Sequence, residues 1–309
     1  MSNWFKGNTH THTLNSDGDS SPGEVAHWYR DHGYHFLVLS DHNFLTSVEE
    51  LQRELDREGE RLASGRLLLI PGEEVTDVFQ DGQHRREVHV NGLDTTRRVG
   101  PQGGESVREV LQRCVDAVHE AGGVATANHP NFRWSLTVDD LASIEGLRYL
   151  EIYNGHPQVH NLGGGGSPGT EEMWDGLLSR GLRLWGMGVD DAHHFKAWGP
   201  HLSNPGRGWV MVRADQLTGA AIVAAIEAGD FYISTGVGLE HLSTEGGIEV
   251  RIAPLGDFRF QTQFVGQDGK VLAEADSLEA SYRLRTHGYV RARIRSSGGA
   301  MAWTQPVFS

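Results

Sequence analysis

Short apolar segments recur along the first 240 residues, and most of them end in a histidine or a carboxylate. The run 36–40 is followed by Asp41 and His42, and the run 123–127 is followed by Asn128 and His129. Short apolar runs with polar residues directly after them are typical of buried strands. On the same grounds we predict strands at 67–70, 88–90, 149–153, 182–189 and 208–212, with the first of these stopped by Pro71.

Helix signals lie between these strands. Ser21 and Pro22 are an N-cap and a first-turn proline, and Gly33 follows the end of that predicted helix. Further helices are predicted at 105–121, which is closed by a glycine pair, and at 170–179 and 215–228. Because strands alternate with helices, we predict an α/β fold with a parallel sheet, either open or closed into a barrel.

The pattern changes near residue 240. Segments 249–253, 258–264, 280–285 and 289–294 alternate apolar and polar residues, and turn residues rather than helix signals separate them. Such alternation predicts antiparallel strands with one buried face. We therefore expect two domains, 1–240 and 241–309, of which the second is a small antiparallel, sandwich-like β domain.

The charge and cysteine content limit the partners and the compartment. The chain has 27 Lys and Arg against 41 Asp and Glu, a net charge of −14, which argues against long nucleic acid as a partner but leaves a small anionic substrate open. The single cysteine, Cys114, lies in an apolar helical stretch and is expected to be structural. We find neither a signal peptide nor an apolar run of about 18 residues, so a cytoplasmic protein without a membrane span is expected. The sequence leaves the oligomeric state open.

Histidines and carboxylates gather where predicted strands end. His10 and His12 project from the same side of an extended segment, because strand side chains repeat every second residue, and such a pair can chelate one ion. Asp17 follows in the same stretch, and the other candidates lie in five further segments: His42; Glu73 or Glu74; His89; His129; and Asp190 or Asp191 with His193. A histidine in an apolar strand is more often structural than ligating. The whole set, at the carboxyl ends of α/β strands, instead indicates a metal site for zinc, manganese or iron.

The order of these motifs resembles that of the polymerase-and-histidinol-phosphatase (PHP) superfamily. The motifs are His-x-His at 10–12, Ser-Asp-Gly at 16–18, Ser-Asp-His-Asn at 40–43, Pro-Gly-x-Glu at 71–74, His-Val-Asn-Gly-Leu at 89–93, Asn-His-Pro at 128–130 and Asp-x-His at 191–193. The phrases at 151–156 and 189–194, together with a β tail that ends in Trp-Thr-Gln-Pro at 303–306, are similar to the carbaryl-hydrolase-like branch of metallohydrolases.

This resemblance implies a distorted (β/α)7, TIM-like barrel with two or three divalent metal ions. It implies that His10 and His12 bind the first metal together with Glu74 and Asp191. Glu74 would bridge to a second metal held by His89 and His129, and a third would be held by Asp17, His42 and His193. The family spacing selects Glu74 over Glu73 and Asp191 over Asp190, and many relatives carry histidine where this chain has Asp17.

We therefore hypothesise a metal-dependent hydrolase that attacks a small phosphate ester with a metal-bridging hydroxide. In this hypothesis Glu74 and Asp191 are catalytic as metal ligands, and His194 is a candidate to protonate the leaving group. Candidate substrate contacts follow the motif segments: Arg133, Lys196 and Arg207 for phosphate, and Asn154 and His156 for substrate or for orienting metal ligands. Two alternatives stay open: a carbamate or carboxylic ester hydrolase with the same metals, and a non-catalytic metal-binding or sugar-binding protein.

Overall fold

Strands and helices alternate through the first three quarters of the chain. The computed structural model describes residues 3–62, 65–285 and 287–309. In chain order, the elements of this part are β1 (Asn3–Asn8), α1 (Pro22–Asp31), β2 (Phe36–Leu39), α2 (Glu49–Leu62), β3 (Leu68–Asp81), β4 (His84–Leu93), α3 (Val107–Glu120), β5 (Val124–Ala127), α4 (Val138–Ala142), β6 (Tyr149–Asn154), α5 (Thr170–Ser179), β7 (Trp185–Val189), β8 (Trp209–Ala214), α6 (Gly219–Glu227) and β9 (Phe231–Ser234).

The helices begin and end as their capping residues require. Ser21 caps α1 by accepting a hydrogen bond from the Glu24 N–H, and the Glu24 carboxylate accepts one from the Ser21 N–H at 2.7 Å. In α3 the apolar face is buried, and burial raises the pKa of the Cys114 thiol to about 12, which fits a structural cysteine. None of the helices in the described ranges is long and apolar enough to cross a membrane.

The long sheet is mixed, and its central part is mostly parallel. Eight further strands follow β9 in the chain: β10 (Leu239–Ser243), β11 (Gly247–Ile252), β12 (Phe260–Val265), β13 (Val271–Ala275), β14 (Glu279–Arg283), β15 (Tyr289–Ser296), β16 (Met301–Thr304) and β17 (Val307–Phe308). The strand order of the long sheet is β13-β12-β15-β16-β9-β8-β1-β2-β3-β4-β5-β6-β7. From β1 to β7, four pairs are parallel (β1–β2, β2–β3, β5–β6 and β6–β7). The predicted α/β class is therefore confirmed.

Strand β4 departs from the predicted parallel arrangement. The prediction that Pro71 stops the preceding strand is wrong, because β3 continues through it to Asp81. Pro71 lies where the pairing of β3 with β2 ends and its pairing with β4 begins, and its carbonyl accepts the Asp94 N–H at 2.7 Å. Gly82, at φ 56°, then turns the chain into β4, which is antiparallel to both β3 and β5. As a result Glu74 and His89 lie within long strands rather than after the ends of short ones.

The C-terminal residues form antiparallel strands, as their alternation predicts. Strands β10, β11 and β14 make a three-stranded sheet, while β12, β13, β15 and β16 continue the long sheet beyond β9. Apolar side chains of both sheets share one core, which includes Ile248 and Val250 from β11 and Phe264 and Ile294 from the long sheet. The antiparallel C-terminal part is thus confirmed, and the domain boundary at residue 240 stays a prediction.

Ion pairs of a buried arginine connect β15 to α5. The guanidinium of Arg291 is fully buried and contacts both carboxylate oxygens of Asp175, at 2.8 and 2.6 Å, and one oxygen of Glu171 at 2.7 Å. The Tyr289 hydroxyl also donates to Asp175, at 2.9 Å. Since α5 follows β6, this contact ties the C-terminal strands to the part of the chain that carries the histidines.

Candidate metal centre

The segment that follows β1 carries two fully buried imidazoles. Backbone hydrogen bonds hold this segment on both sides: Ser40 N–H donates to Thr11 after β2, and Asp191 N–H donates to His10 after β7, at 2.9 and 3.0 Å. His12 N–H in turn donates to the carbonyl of Ala192 at 2.9 Å. The extended backbone turns both rings to the same side, with the Nε2 atoms of His10 and His12 3.1 Å apart.

The carboxylate of Glu74 lies at the centre of the imidazoles and is fully buried. Its Oε1 lies 2.9 Å from His89 Nδ1 and 3.1 Å from His129 Nε2. Its Oε2 lies 3.3 Å from the Nε2 atoms of both His10 and His12, and 2.8 Å from His42 Nδ1. One carboxylate therefore faces five imidazoles contributed by four segments of the chain.

Asp191 is the second carboxylate of the group. Its Oδ1 lies 3.3 and 3.2 Å from the Nε2 atoms of His10 and His12, opposite Glu74. Its backbone has φ 51°, a left-handed conformation that is uncommon for residues other than glycine and that occurs at functional sites. The sequence of β7 does not predict this turn, so the direction of the Asp191 side chain is set by the folded structure.

A third group lies toward solvent. Asp17, whose side chain is 57% exposed, lies 3.3 Å from His193 Nε2, 3.6 Å from His42 Nε2 and 3.6 Å from His12 Nδ1. Asp41 holds this loop, because it accepts hydrogen bonds from the backbone and hydroxyl of Thr13.

The described residues thus contain four overlapping sets of donors that lie close enough to hold a metal ion: His10 with Glu74 and His129; His10 with His12 and Asp191; His42 with Glu74 and His89; and His12 with Asp17, His42 and His193.

The electrostatics of the cluster follow from opposite charges packed together out of water. Burial alone would raise the pKa of Glu74, but the imidazoles of His42 and His10 hold it well below its usual range. Asp191 is lowered in pKa in the same way, against burial, with His10 as its main partner. Burial opposes a charge on His42 too, yet Glu74 and Asp17 raise its pKa to about 10. Both carboxylates are therefore ionised and available to a cation.

The donor atoms fit divalent metal ions. Glu74 Oε2 and His89 Nε2 are buried and make no hydrogen bond of good geometry with the described residues, although Oε2 has three imidazole nitrogens close by. Buried polar atoms are normally hydrogen-bonded, so such atoms require an explanation. Imidazole nitrogens and carboxylate oxygens aimed at shared points are the donors that zinc, manganese and iron take in proteins.

A second layer of polar side chains supports the cluster, and of its members only Asn154 was a candidate from the sequence. Glu151, buried on β6, lies 2.7 Å from His10 Nδ1 and accepts the His129 N–H at 2.9 Å. Asn154 donates to Glu151 and to Asp191, at 2.9 and 3.1 Å, and Asn128 donates to Glu74 at 2.9 Å. The signal for Glu151 was a carboxylate in the middle of an apolar strand, which requires a buried partner.

The neighbouring carboxylates have other partners. Glu73 accepts hydrogen bonds from the backbone N–H groups of Val99 and Gly100 at 3.0 and 2.7 Å. Asp190 accepts from the N–H groups of residues 206–208 and from the Tyr29 hydroxyl at 2.9 Å. The fold therefore brings Glu74 and Asp191, and neither Glu73 nor Asp190, to the imidazoles.

The structure does not bring the candidate cations to the cluster. Arg133 is largely exposed and pairs with Glu87 at 2.8 Å, while the Arg207 guanidinium donates to the carbonyls of Gly155 and Gly199. Lys196 is exposed and is fixed only through its backbone N–H, which donates to Asp19. Among the described residues, every ion pair of Glu74, Asp191 and Asp17 is made with a histidine.

Two further histidines differ in their relation to the cluster. His194 turns its Nδ1 to the Ser203 hydroxyl at 3.0 Å and belongs to none of the donor sets found in the described residues. His156 lies beside the cluster, with its ring 5.4 Å from that of His193, and its Nδ1 accepts the Gln158 N–H at 3.2 Å. Burial lowers the pKa of His156 to about 4. A neutral ring with this acceptor carries its proton on Nε2, where it can donate to a ligand.

The sequence matches no known family model and no curated protein. Solved structures are similar in fold. One is described as a two-domain protein from Bacteroides vulgatus ATCC 8482 that contains a predicted PHP-like metal-dependent phosphoesterase. It is 16% identical, with a TM-score of 0.53, and the likeness covers 94% of this chain and 90% of that one. At this identity the likeness shows a shared fold.

Two other solved structures are less similar. One is from Bifidobacterium adolescentis ATCC 15703 and is provisionally described as a metal-dependent phosphoesterase; it is 18% identical, with a TM-score of 0.41, over 64% of this chain and 89% of that one. The other is an amidohydrolase from Chromobacterium violaceum with bound sulfate and no metal; it is 17% identical, with a TM-score of 0.42, over 62% and 88%. Both are too distant in structure to carry an argument about this chain.

Proposed function

We propose that this protein is a metal-dependent hydrolase of the PHP superfamily that acts on a small phosphate ester. The observation that carries the proposal is the position of Glu74: its two oxygens face five imidazoles, and a second carboxylate, Asp191, lies opposite. The likeness in fold to the two-domain B. vulgatus protein supports the superfamily. Membership of the carbaryl-hydrolase-like branch rests on the motif phrases alone.

We assign the proposed ligands to three neighbouring ions. His10, His12 and Asp191 would hold the first, with Glu74 shared between it and a second ion at His89 and His129. Asp17, His42 and His193 would hold the third. Divalent ions supply Lewis acidity, which lowers the pKa of water and offsets the charge of the ester. The protein's own part is to hold these side chains in place, and for that Glu151, Asn154 and Asn128 fix the rings and carboxylates from behind.

The same residues support a closed barrel. Backbone hydrogen bonds join the segment after β7 to the segment after β1, from Asp191 N–H to the His10 carbonyl and from His12 N–H to the Ala192 carbonyl. Thr11 and Ala192 form a parallel bridge at this point. We propose that β1 to β7 close here into a distorted seven-stranded barrel, with the cluster at the carboxyl ends of its parallel strands.

Turnover of model esters tests the proposed function. The protein is stripped with a chelator and reloaded with zinc, manganese or iron, and p-nitrophenol release is followed from a phosphate monoester, a phosphate diester, an acetate and a carbamate. We expect the phosphate esters to be cleaved, the stripped protein to be inactive, and the reloaded protein to recover. Elemental analysis of the same samples should give two or three metal ions per chain.

A second candidate function is hydrolysis of a carbamate or carboxylic ester. It is favoured by the absence of any lysine or arginine among the ion-pair partners of Glu74, Asp191 and Asp17 in the described residues, since a carbonyl needs less cationic charge than a phosphoryl group. Turnover of the carbamate or the acetate without turnover of either phosphate ester would replace the first proposal by this one.

The Glu151→Gln variant tests whether Glu151 positions the cluster. The amide is nearly the same size but cannot carry the charge that orients His10, so we expect metal affinity to fall about 10- to 100-fold. The readout is metal retention against a competing chelator, together with turnover at saturating metal. Glu105→Gln, an exposed carboxylate on the loop before α3, is the control and should behave as wild type. Unchanged metal affinity in Glu151→Gln would remove Glu151 from the site.

A further inference from the structure

Four aromatic side chains form a group beside the cluster, which we call the aromatic wall: Phe132, Trp134, His156 and His160. The Phe132 ring lies 5.3 Å from that of His129, 6.0 Å from that of His89 and 6.4 Å from that of His156, measured between centroids. Trp134 stacks on His160 at 4.5 Å with the rings nearly parallel. Two loops therefore meet here, one after β5 and one after β6.

Hydrogen bonds join the two loops that carry the wall. Asn131 is buried, and its side-chain amide donates to the carbonyls of His160 and Pro168, at 3.0 and 2.9 Å, so the two loops are joined. Arg133 and Trp134 both have φ in the left-handed region, at 51° and 57°. Arg133 pairs with Glu87 at 2.8 Å, and its guanidinium also lies 5.3 Å from the centroid of the Phe132 ring.

Phe132 has no role in the apolar cores. It is half-buried, yet it packs against none of the apolar core clusters of the described residues, and the rings found near it are imidazoles. A large apolar side chain beside a polar site and outside the apolar cores is what an apolar part of a ligand would contact.

From the aromatic wall we infer a substrate class for the site. The ligand carries, beside its phosphoryl group, an aromatic or bulky apolar arm that packs on Phe132. The inference rests on the proposed phosphoesterase function and narrows it, because it disfavours sugar phosphates with polar arms. Phe132 is thus a specificity-determining residue that contacts the substrate.

Binding of phosphonates, which are not hydrolysed, tests the inference separately from turnover. The affinities of methylphosphonate and phenylphosphonate for the metal-loaded protein are measured by calorimetry at a pH above the second ionisation of each phosphonate. Burial of a phenyl ring should make phenylphosphonate bind about tenfold more tightly than methylphosphonate, or better.

Variants of Phe132 test whether this residue causes the preference for phenylphosphonate over methylphosphonate. Phe132→Ala should abolish most of the preference for the phenyl group, Phe132→Leu should keep part of it, and both should retain wild-type metal content. Phe258→Ala, an exposed phenylalanine of the C-terminal strands, is the control and should keep the full preference. Equal affinities for methyl and phenyl phosphonates, no binding of either, or a preference that survives in Phe132→Ala would each overturn the inference. Absence of phosphate ester turnover in the wild type would instead overturn the proposed function.

Discussion

Replacing Glu74 by glutamine is expected to lower hydrolytic turnover by at least about a thousandfold, an effect of the size seen when an essential member of a catalytic unit is removed. Glu74 is fully buried, and its two oxygens face the nitrogens of five imidazoles. An amide keeps the volume but removes the negative charge, and its NH2 group turns a hydrogen-bond donor toward the cations or ring nitrogens. The metal content of the purified variant should fall together with the turnover.

The adjacent residue supplies a matched control. Glu73→Gln changes an equally buried carboxylate, but one that accepts hydrogen bonds from the backbone of Val99 and Gly100. We expect this variant to lose stability, because an amide cannot accept both bonds with the same charge, while the metal content per folded chain stays at the wild-type value. Wild-type turnover and metal content in Glu74→Gln, or loss of metal from Glu73→Gln alone, would contradict the proposed ligand set.

Replacing Arg291 by methionine is expected to destabilise the fold by about 3–5 kcal/mol, the cost of leaving buried charges without their partner. The Arg291 guanidinium is fully buried and contacts both oxygens of Asp175 as well as Glu171. Methionine restores volume but leaves the Asp175 carboxylate without its guanidinium, while Glu171 keeps Arg293 at 3.2 Å. The measurement is the free energy of unfolding from urea titrations of the metal-loaded protein.

Two comparisons separate the ion pair from simple packing. Arg293→Met removes a partly exposed guanidinium that also pairs with Glu171, at 3.2 Å, and should cost about 1 kcal/mol or less, as exposed ion pairs do. The double variant Arg291→Met with Asp175→Asn should recover part of the loss, because it removes the unpaired charge. An Arg291→Met protein as stable as the wild type would show that this contact does not hold the C-terminal strands in place.

The same contact predicts a dependence on pH. Burial alone would raise the pKa of Glu171, but the guanidiniums of Arg291 and Arg293 lower it. A carboxyl whose pKa is lowered by folding contributes its full stability above its unfolded pKa of about 4.3, and that contribution is lost as the pH falls from there through the lower folded pKa. The difference in unfolding free energy between wild type and Arg291→Met should therefore be larger at neutral pH than at about pH 3.

Local sequence patterns predicted most of the secondary structure. The helix after Ser21, the helix 170–179 and the strands before His42 and His129 need only near neighbours: a capping side chain, a proline in the first turn, or a short apolar run. The reversal at β4 was not predictable in this way. In the sequence, Pro71 and Gly82 are each compatible with the end of a strand. Only the pairing of β4 with both β3 and β5 shows that β3 and β4 form one long hairpin.

The chemistry of the cluster could be predicted because its residue types are unusual in their positions. Histidines and carboxylates directly after apolar runs are costly to bury without a partner, and their order along the chain is therefore informative. The supporting residues were harder to find. Glu151 and Asn128 look like ordinary members of an apolar strand and a turn until their partners, His10 and Glu74, are brought across the sheet.

The amino-acid sequence alone determined the α/β class, the antiparallel C-terminal strands and the choice of imidazoles and carboxylates, because each of these depends on residue type and local spacing. The choice of Glu74 over Glu73 and of Asp191 over Asp190 came from the family spacing. Only the tertiary structure decided which backbone groups hold Glu73 and Asp190, that the candidate arginines are engaged elsewhere, and that Phe132 borders the cluster. These last features depend on the direction in which a side chain points and on contacts between segments far apart in the chain, and neither is encoded by local periodicity.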